Sequence, residues 1–387
     1  MAKEPGRRFT SIRLQNWRNF REVDTDLTAR VFIIGPNAAG KSNFLDAFRF
    51  LRDIVVVGGG LQEACRRRGG LAAVRCLAAH GTRMDVSVKV SIGSEHQPAE
   101  WEYEVAFNER GRRLVVKKER VMHNGKVILE RPDKDDRADE ARLTQTFLEQ
   151  VNVNKEFREV AEFLQTVRYR HIVPQLVREP ERSVGRTNDP FGGDFLEQVA
   201  RVPERTRKSR LKRIEEALRV AVPQLQQLEL YRDEVKGTWH LRGKYEHWRP
   251  NGAWQTEEQF SDGTLRLLGL LWSIVEQNGP LLLEEPELSL HPDVVRQIPA
   301  MIARAQRRSN IQVLLSTHSF DLLDDSGVGL DEVILLVPGR DGTQVKKPNE
   351  LDEIRELIEG GVGLGEALLP LTRPKDFEQL SFFGDRL

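Results

Sequence analysis

The chain has 387 residues, which is enough for two or three average domains or for one large domain with insertions. Lysine plus arginine and aspartate plus glutamate both number 59, so the formal net charge is zero and the overall basicity of a dedicated nucleic-acid binder is excluded. The two cysteines lack disulfide or metal-ligand spacing, and no apolar run approaches the ~20 residues of a membrane span, so we expect a soluble cytoplasmic protein with no membrane partner.

The N-terminal segment predicts an α/β beginning. Strands are expected over residues 9–14, 17–20 and 32–34, and a helix over residues 41–55. The motif GPNAAGKS, residues 35–42, lies between the last strand and the helix and satisfies G-x-x-x-x-G-K-[ST]. A plain glycine turn is the alternative, which the strand before the motif and the helix after it disfavour.

The motif carries the chemistry of a nucleoside triphosphate site. Gly35 and Gly40 let backbone N–H groups approach phosphates, Lys41 reaches the β and γ groups, and Ser42 holds Mg²⁺. Asn37 within the motif and Asn43 directly after it complete the predicted nucleotide contacts.

The middle of the chain changes pattern. Residues 84–92, 101–107 and 113–122 alternate polar with apolar side chains, as in antiparallel strands. Helices are predicted next, the third of them strongly basic, over residues 140–151, 154–167 and 203–220. Two further strands are expected over residues 228–235 and 238–245. Cys65 and Cys76, which precede this region, are expected to be small buried thiols.

An α/β pattern returns after residue 260. Ser261 or Asp262 is expected to cap a helix over residues 264–276, and Gly263 permits close backbone approach. This arrangement suits an anion, although capping alone also explains it. Apolar strands are predicted over residues 280–283, 311–315 and 333–337, with a helix over residues 292–307. Continuous apolar strands between helices indicate a parallel sheet covered on both faces.

Two of these strands end in candidate catalytic groups. Glu284 and Glu285 follow the first strand, where one carboxylate can organise Mg²⁺ and the other can polarise an attacking water. By position we assign Glu284 to the metal and Glu285 to the water. His318 follows the second strand, where it can contact a γ-phosphate, although a lone histidine is more often structural.

The order of these motifs resembles the ATP-binding-cassette (ABC) ATPase heads of the RecF, SMC and OLD-like class. The resemblance covers roughly residues 9–55 and 255–337. It implies an α/β P-loop ABC-type head with an antiparallel β insertion and a helical lid subdomain. It also implies that ATP and Mg²⁺ are the cofactors and that ATP is sandwiched in a head-to-tail dimer.

The resemblance assigns roles to individual residues. Ser261 and Gly263, which belong to the family's signature motif at residues 261–263, would contact the γ-phosphate held by a second subunit, and residues 289–292 would form a dimer-facing loop. Glu285 would be the catalytic base and His318 the switch histidine. The family also has a metal-contacting glutamine at a strand end. Gln175 is the candidate, a metal ligand beside Ser42 and Glu284, with an ordinary loop glutamine as the alternative.

The expected organisation has five segments. The first is an N-terminal lobe that contains the motif at residues 35–42, called Walker A (residues 1–75), and the second is a β-rich then helical insertion (76–170). The third contains Gln175, in the segment called the Q-loop, and a helical and β lid (171–259). The fourth is a C-terminal lobe with the signature, the strand before Glu284 and Glu285, called Walker B, and the switch histidine (260–350), and the fifth is a C-terminal tail (351–387). The part between Gln175 and Ser261 is too short for a long coiled coil. The part after His318 is too short for an OLD-type nuclease domain, so we expect this chain not to cut nucleic acid itself.

The resemblance implies a Mg²⁺-dependent ATPase, slow because Glu284 stands where many cassettes carry aspartate. Its dimerisation would control a separately encoded effector, such as a nuclease or toxin, in bacterial antiphage defence or a toxin-linked system. One alternative is a RecF-like DNA-repair ATPase that binds DNA through the lid, and another is a nucleotide-sensing scaffold that does not turn over ATP. A membrane-transporter cassette fits the motifs less well.

Two basic segments, residues 66–68 and 205–213, are candidates for phosphate-backbone contact, with solvated faces as the alternative. Aromatic residues near the signature favour sheet packing over a base-stacking platform. They are Trp239, Tyr245, His247, Trp248 and Trp254.

Overall fold

The computed structural model describes residues 6–79, 84–111, 113–179, 181, 189–248, 253–276 and 279–373. The chain divides into two compact units. Unit 1 comprises Met1–Arg168, Asn278–Leu282 and Asn310–Leu387, and unit 2 comprises Tyr169–Gln277 and Leu283–Ser309.

The strands, numbered in chain order, are β1 Arg8–Trp17, β2 Phe20–Asp26, β3 Arg30–Ile34, β4 Val86–Gly93, β5 Trp101–Arg110, β6 Arg113–His123, β7 Lys126–Arg131, β8 Arg168–Arg170, β9 Leu225–Arg232, β10 Trp239–Tyr245, β11 Ala253–Thr256, β12 Leu281–Glu284, β13 Val313–Ser316, β14 Val333–Val337 and β15 Gln344–Lys346. The helices are α1 Lys41–Val55, α2 Leu61–Arg66, α3 Leu71–Val74, α4 Lys134–Ala138, α5 Arg158–Gln165, α6 Pro174–Val177, α7 Phe195–Arg201, α8 Glu204–Ala221, α9 Asp262–Glu276, α10 Pro292–Val295, α11 Ile298–Ser309, α12 Asp352–Glu359 and α13 Leu364–Thr372. Short 3₁₀ turns lie between them. None of the helices in these described ranges is long and apolar enough to cross a bilayer.

Two six-stranded sheets organise the fold. The first has the order β2-β1-β4-β5-β6-β7 and is antiparallel throughout. The second has the order β15-β14-β3-β13-β12-β8, in which β3 pairs in parallel with both β13 and β14. Every residue of β3 is buried, as expected of a strand covered on both faces.

Helix α1 is anchored by aromatic packing in unit 1. The Phe48 ring lies 4.7 Å from that of Phe9, and the Phe50 ring lies 5.0 Å from that of Trp17. All four side chains are fully buried. Because buried aromatic side chains stabilise a core strongly, these contacts hold α1 against β1.

The arginine run at residues 66–68, a candidate for phosphate-backbone contact, forms ion pairs with nearby acidic side chains. Arg68 is buried and bridges Asp46 and Asp53 of α1 at 2.8 and 2.9 Å. Arg66 and Arg67 both pair with Glu63 on their own helix turn. The run therefore ties α2 to α1. The thiols of Cys65 and Cys76 are free and buried, as expected.

The predicted helix over residues 140–151 is wrong. Only a 3₁₀ turn forms there, at Glu140–Thr144. The N–H groups of Phe147 and Leu148 donate instead to the fully buried carboxylate of Glu119, at 2.8 and 3.0 Å. That carboxylate also pairs with buried Arg131 at 2.9 Å. Since those backbone donors satisfy a buried charge, they are not available to a helix ladder.

Unit 2 contains a three-stranded antiparallel sheet of order β11-β10-β9. Its fully buried Glu257 accepts a hydrogen bond from the Leu241 N–H at 2.8 Å and lies 2.6 Å from His240 Nδ1. The aromatic residues of this sheet are not uniformly packed. Trp254 is 41% exposed with Arg242 over its ring, and Trp248 is 82% exposed.

The predicted single helix over residues 292–307 is two helices, α10 and α11. Pro299 is the second residue of α11 and has no N–H to donate to the carbonyl of Val295, where α10 ends. The break therefore follows from the proline.

Candidate nucleotide-binding site

The P-loop connects β3 to α1 and needs both of its glycines. A Cβ on Gly35 would lie 2.7 Å from the Leu336 carbonyl oxygen. Gly40 has a φ of +97°, and a Cβ there would lie 2.1 Å from the Asn19 side chain. The two glycines thus permit backbone approaches that a Cβ would block, as a loop that cradles phosphates requires.

Lys41 is the one basic residue of the motif at residues 35–42, and it is enclosed by the protein. The side chain is 6% exposed, and its Nζ donates to the carbonyls of Gly35 at 3.0 Å and Pro36 at 3.3 Å. The same Nζ lies 3.4 Å from His318 Nδ1. The switch histidine predicted from sequence is therefore in contact with the P-loop lysine within unit 1.

The first turn of α1 suits a bound anion. Ser42 is exposed there, and the first turn contains no acidic residue that would repel one. Asn37 is exposed on the loop itself. Asn43 lies further inside the helix and has a structural partner, because its Nδ2 donates to Asn19 Oδ1 at 2.9 Å.

Two residues that the sequence did not reveal hold the P-loop from behind. Asn19 Nδ2 donates to the Ala39 carbonyl and to Thr343 Oγ1, each at 2.7 Å. Thr343 Oγ1 in turn donates to the same carbonyl at 2.9 Å. The two side chains come from chain segments far apart in sequence, so no local motif could have identified them.

A cavity of about 670 Å³ adjoins the P-loop in unit 1. P-loop residue Ala38 and α1 residue Asn43 line one side of it. Three arginines are among the other lining residues, Arg18, Arg75 and Arg340. A volume of several hundred cubic ångströms fits a nucleoside or similar small molecule. These arginines are the second group of candidate functional residues that the sequence did not reveal.

The predicted signature begins α9 in unit 2. Ser261 is the cap, because its Oγ accepts a hydrogen bond from the Thr264 N–H at 3.1 Å. A Cβ on Gly263 would lie 2.5 Å from the Ser289 carbonyl oxygen. The glycine therefore allows α9 to approach the loop that contains Ser289, whose own φ is +62°.

Gln175 lies in the short helix α6 and not at the predicted strand end. Pro174 occupies the first position of that helix, which is a favoured place for proline. Gln175 Nε2 lies 3.5 Å from Asp262 Oδ2, and Arg178 pairs with the same carboxylate at 2.6 Å. The structure thus brings Gln175 beside the signature in unit 2.

The two candidate carboxylates lie at the end of β12 in unit 2, where Glu284 is the last residue of the strand and Glu285 follows it. The Tyr169 hydroxyl donates to the carboxylate of Glu284, and His171 Nδ1 lies 3.2 Å from the Glu284 carbonyl oxygen. Glu285 has a φ of +45°, an uncommon value for a residue with a side chain and one often associated with functional sites. Tyr169 and His171 are further residues that the sequence did not single out.

The predicted site residues therefore form two sets. Unit 1 contains the phosphate-facing set of Gly35, Asn37, Gly40, Lys41, Ser42, Asn43 and His318. Unit 2 contains Gln175, Ser261, Gly263, Glu284 and Glu285.

A family model described as "AAA domain, putative AbiEii toxin, Type IV TA system" matches residues 30–325. The chain belongs to this AAA family. The match begins at β3 and continues past His318, so it includes the P-loop, the signature and both candidate carboxylates.

Sequence similarity to individual known proteins covers only short parts of this chain. Endonuclease GajA of Bacillus cereus (strain VD045) is 46% identical over 46 residues, which are 12% of this chain and 8% of GajA. The uncharacterized protein MJECL11 of Methanocaldococcus jannaschii is 31% identical over 99 residues, which are 24% of this chain and 85% of that protein. The chain thus matches only a small part of GajA.

Structural similarity extends over most of the AAA protein. An SMC head bound to the C-terminal winged-helix domain of ScpA aligns with a TM-score of 0.53 and 13% identity, covering 88% of this chain and 97% of the other. An SMC head with a coiled coil and joint from Pyrococcus yayanosii gives a TM-score of 0.50 at 12% identity, covering 95% and 99%. These findings confirm the α/β ABC-type P-loop fold and the resemblance to the RecF, SMC and OLD-like class.

Proposed function

We propose that this AAA protein binds ATP with Mg²⁺, hydrolyses it slowly, and dimerises head-to-tail around the nucleotide to control a separately encoded effector. The observation that best supports nucleotide binding is the enclosed Lys41, which contacts two P-loop carbonyls and His318 at the start of a 15-residue helix. An ammonium group in that position can move to the phosphates of a bound nucleotide without leaving the loop.

Each residue then has a defined task. The P-loop N–H groups and the N-terminal end of α1 bind the phosphates, and Lys41 exchanges its carbonyl partners for phosphate oxygens. Arg18, Arg75 and Arg340 contact the α-phosphate, ribose and base from the adjoining cavity.

The hydrolytic step needs a water molecule and a charge-stabilising environment. The Glu285 carboxylate polarises the water that attacks the γ-phosphorus, and His318 donates a hydrogen bond to the γ-phosphate. Ser42 and Glu284 offer the hard oxygen ligands that Mg²⁺ prefers, and Gln175 is a further candidate ligand. When bound, Mg²⁺ neutralises charge on the β- and γ-phosphates.

The proposed effector is supported by the family match and by the local similarity to GajA. The family description refers to a toxin of a type IV toxin–antitoxin system, and the locally similar GajA is named an endonuclease. A nuclease or toxin encoded separately is therefore the proposed partner, in bacterial antiphage defence or a toxin-linked system.

ATP binding and turnover by the purified chain test this proposal. We expect Mg²⁺-dependent hydrolysis, lost on chelation. The K41A variant should bind a fluorescent ATP analogue roughly 10- to 100-fold more weakly, the worth of charge-assisted hydrogen bonds. The E285Q variant should bind ATP normally but turn over about 10²- to 10⁴-fold more slowly. E353Q, an exposed glutamate of α12, is the matched control. Turnover that survives in both K41A and E285Q would contradict the proposal, and ATP binding without any turnover would favour a sensing scaffold.

A DNA-binding ATPase is the second candidate, and one surface of unit 2 favours it. A cavity of about 210 Å³ between α8, α9 and α11 is lined by Arg213, Arg304 and Arg308. All three side chains are exposed. If these arginines contact phosphates, the plot of the logarithm of the binding constant for duplex DNA against log salt concentration should become shallower. The magnitude of its negative slope should decrease by about 0.9 for each arginine replaced by alanine. An unchanged slope would exclude this surface as a DNA contact.

A further inference from the structure

The C-terminal helix α13 is seated directly on the loop that contains the switch histidine. A Cβ on Gly365 of α13 would lie 2.7 Å from the Phe320 carbonyl oxygen, two residues beyond His318. On the same helix Leu368 is fully buried and Ala367 is 3% exposed. So close an approach, together with buried apolar residues, fixes α13 against this loop.

The end of α13 reaches the P-loop. Leu369, Thr372 and Arg373 line a cavity of about 210 Å³ whose other walls are Gly35, Pro36, Asn37 and the loop from Thr317 to Phe320. All of these residues belong to unit 1. Within the described part of the chain, Arg373 is the only guanidinium that lines this cavity.

The position of the cavity relates it to the terminal phosphate. It is lined by the first half of the P-loop and by His318, the residue that lies 3.4 Å from Lys41 Nζ. A P-loop lysine reaches the β- and γ-phosphates. The arginine-lined cavity described above adjoins the second half of the loop and α1, where Ala38 and Asn43 lie. The two cavities therefore flank the P-loop, with Arg373 on the side of His318.

We infer that Arg373 binds the γ-phosphate of ATP, and that α13 thereby distinguishes ATP from ADP. This inference rests on the proposed nucleotide site. A guanidinium presents several N–H donors in a planar fork that matches phosphate oxygens, and its charge does not depend on pH in the physiological range. Because Arg373 directly follows α13, engagement of the γ-phosphate would pull on the end of that helix. The presence of the terminal phosphate would thus be reported to α13, which packs against the loop after His318.

The test compares affinities for two nucleotides in the full chain. Fluorescent analogues of a non-hydrolysable ATP and of ADP are titrated into wild type, R373A, R373K and R355A, an exposed arginine of α12 that serves as the matched control. We expect R373A to weaken ATP-analogue binding about tenfold and to leave ADP binding within about twofold, since only one charge-assisted contact is lost. R373K should retain part of the discrimination.

Three results are informative. If R373A lost affinity for the ATP analogue and for ADP equally, or lost affinity for neither, the inference would be overturned while the proposed function stayed intact. Failure of wild type to bind either nucleotide would overturn both. Thermal unfolding of R373A at the wild-type temperature establishes that a loss of ATP binding is not caused by misfolding.

Discussion

Substituting Gly263 by alanine tests the close approach between the signature helix and the loop of Ser289. The backbone φ angle at Gly263 is one that residues with a side chain also adopt, so the variant adds a methyl group without backbone strain. That Cβ would lie 2.5 Å from the Ser289 carbonyl oxygen, whereas ordinary contacts begin at 3.4 Å. The helix and the loop would have to separate by most of an ångström. Because the obstacle is backbone, no rotamer change can relieve it.

Two opposing contributions set the magnitude. Alanine is favoured over glycine in a helix by about 1 kcal/mol, and overpacking costs about 1–3 kcal/mol. We therefore expect the free energy of unfolding of G263A to be about 1 kcal/mol lower than that of wild type, which lowers the Tm by roughly 2–4 °C in a domain of moderate size. We also expect the displaced signature to reduce ATP-dependent dimerisation strongly.

Urea and thermal unfolding, with solution mass measured in parallel, make up the assay. G269A on the same helix is the comparison, since its Cβ would meet a side-chain atom of Ile172 at 2.6 Å and not a backbone atom. S289G, which removes the steric cost of a side chain at a φ of +62°, should partly restore the stability of G263A. If G263A melted at or above the wild-type temperature and dimerised normally, the close contact between Gly263 and Ser289 would have no role in stability or dimerisation.

Three further variants have defined outcomes. H318A removes the group 3.4 Å from Lys41 Nζ, so steady-state kinetics should show a lower kcat with little change in ATP affinity. D46N breaks the ion pairs that Asp46 forms with Arg68 and Arg18 while Asp53 still pairs with Arg68, so urea unfolding at pH 7 should show a loss of stability of about 1.5–3 kcal/mol. Burial alone would raise the pKa of Asp46, but the two arginines hold it below the usual value. The stability advantage of wild type over D46N should therefore be complete at pH 7 and shrink as the pH falls below about 4, and a constant advantage down to pH 3 would contradict this. N19A removes the donor that holds the Ala39 carbonyl, so isothermal titration should show weaker binding of both ATP and ADP, and unchanged binding would show that the Asn19 contact is dispensable.

Much of the nucleotide-binding framework could be predicted because it is encoded locally. The motif at residues 35–42 specifies a strand, a loop and a helix start within one stretch of chain, and α1 has the predicted bounds. Ser261 caps α9 as its residue type suggests. The order of motifs along the chain then indicated the family.

Other features depend on contacts between distant segments. Arg18, Arg75, Arg340 and Arg373 come from four parts of the chain, so no spacing rule connects them. The helix expected over residues 140–151 is replaced because buried Glu119 takes its backbone donors. Gln175 was misplaced because Pro174 begins a helix there. In each case a tertiary contact or a proline outweighed local helix or strand preference.

The central claim is that ATP joins two copies of this AAA protein through the signature. The most direct measurement is the solution mass of E285Q by light scattering, with and without Mg-ATP. We expect ATP to convert the monomer to a dimer, and we expect S261R, added to E285Q, to abolish the change. A mass that stays the same with ATP, together with a wild-type ATPase rate that does not depend on Ser261, would contradict it.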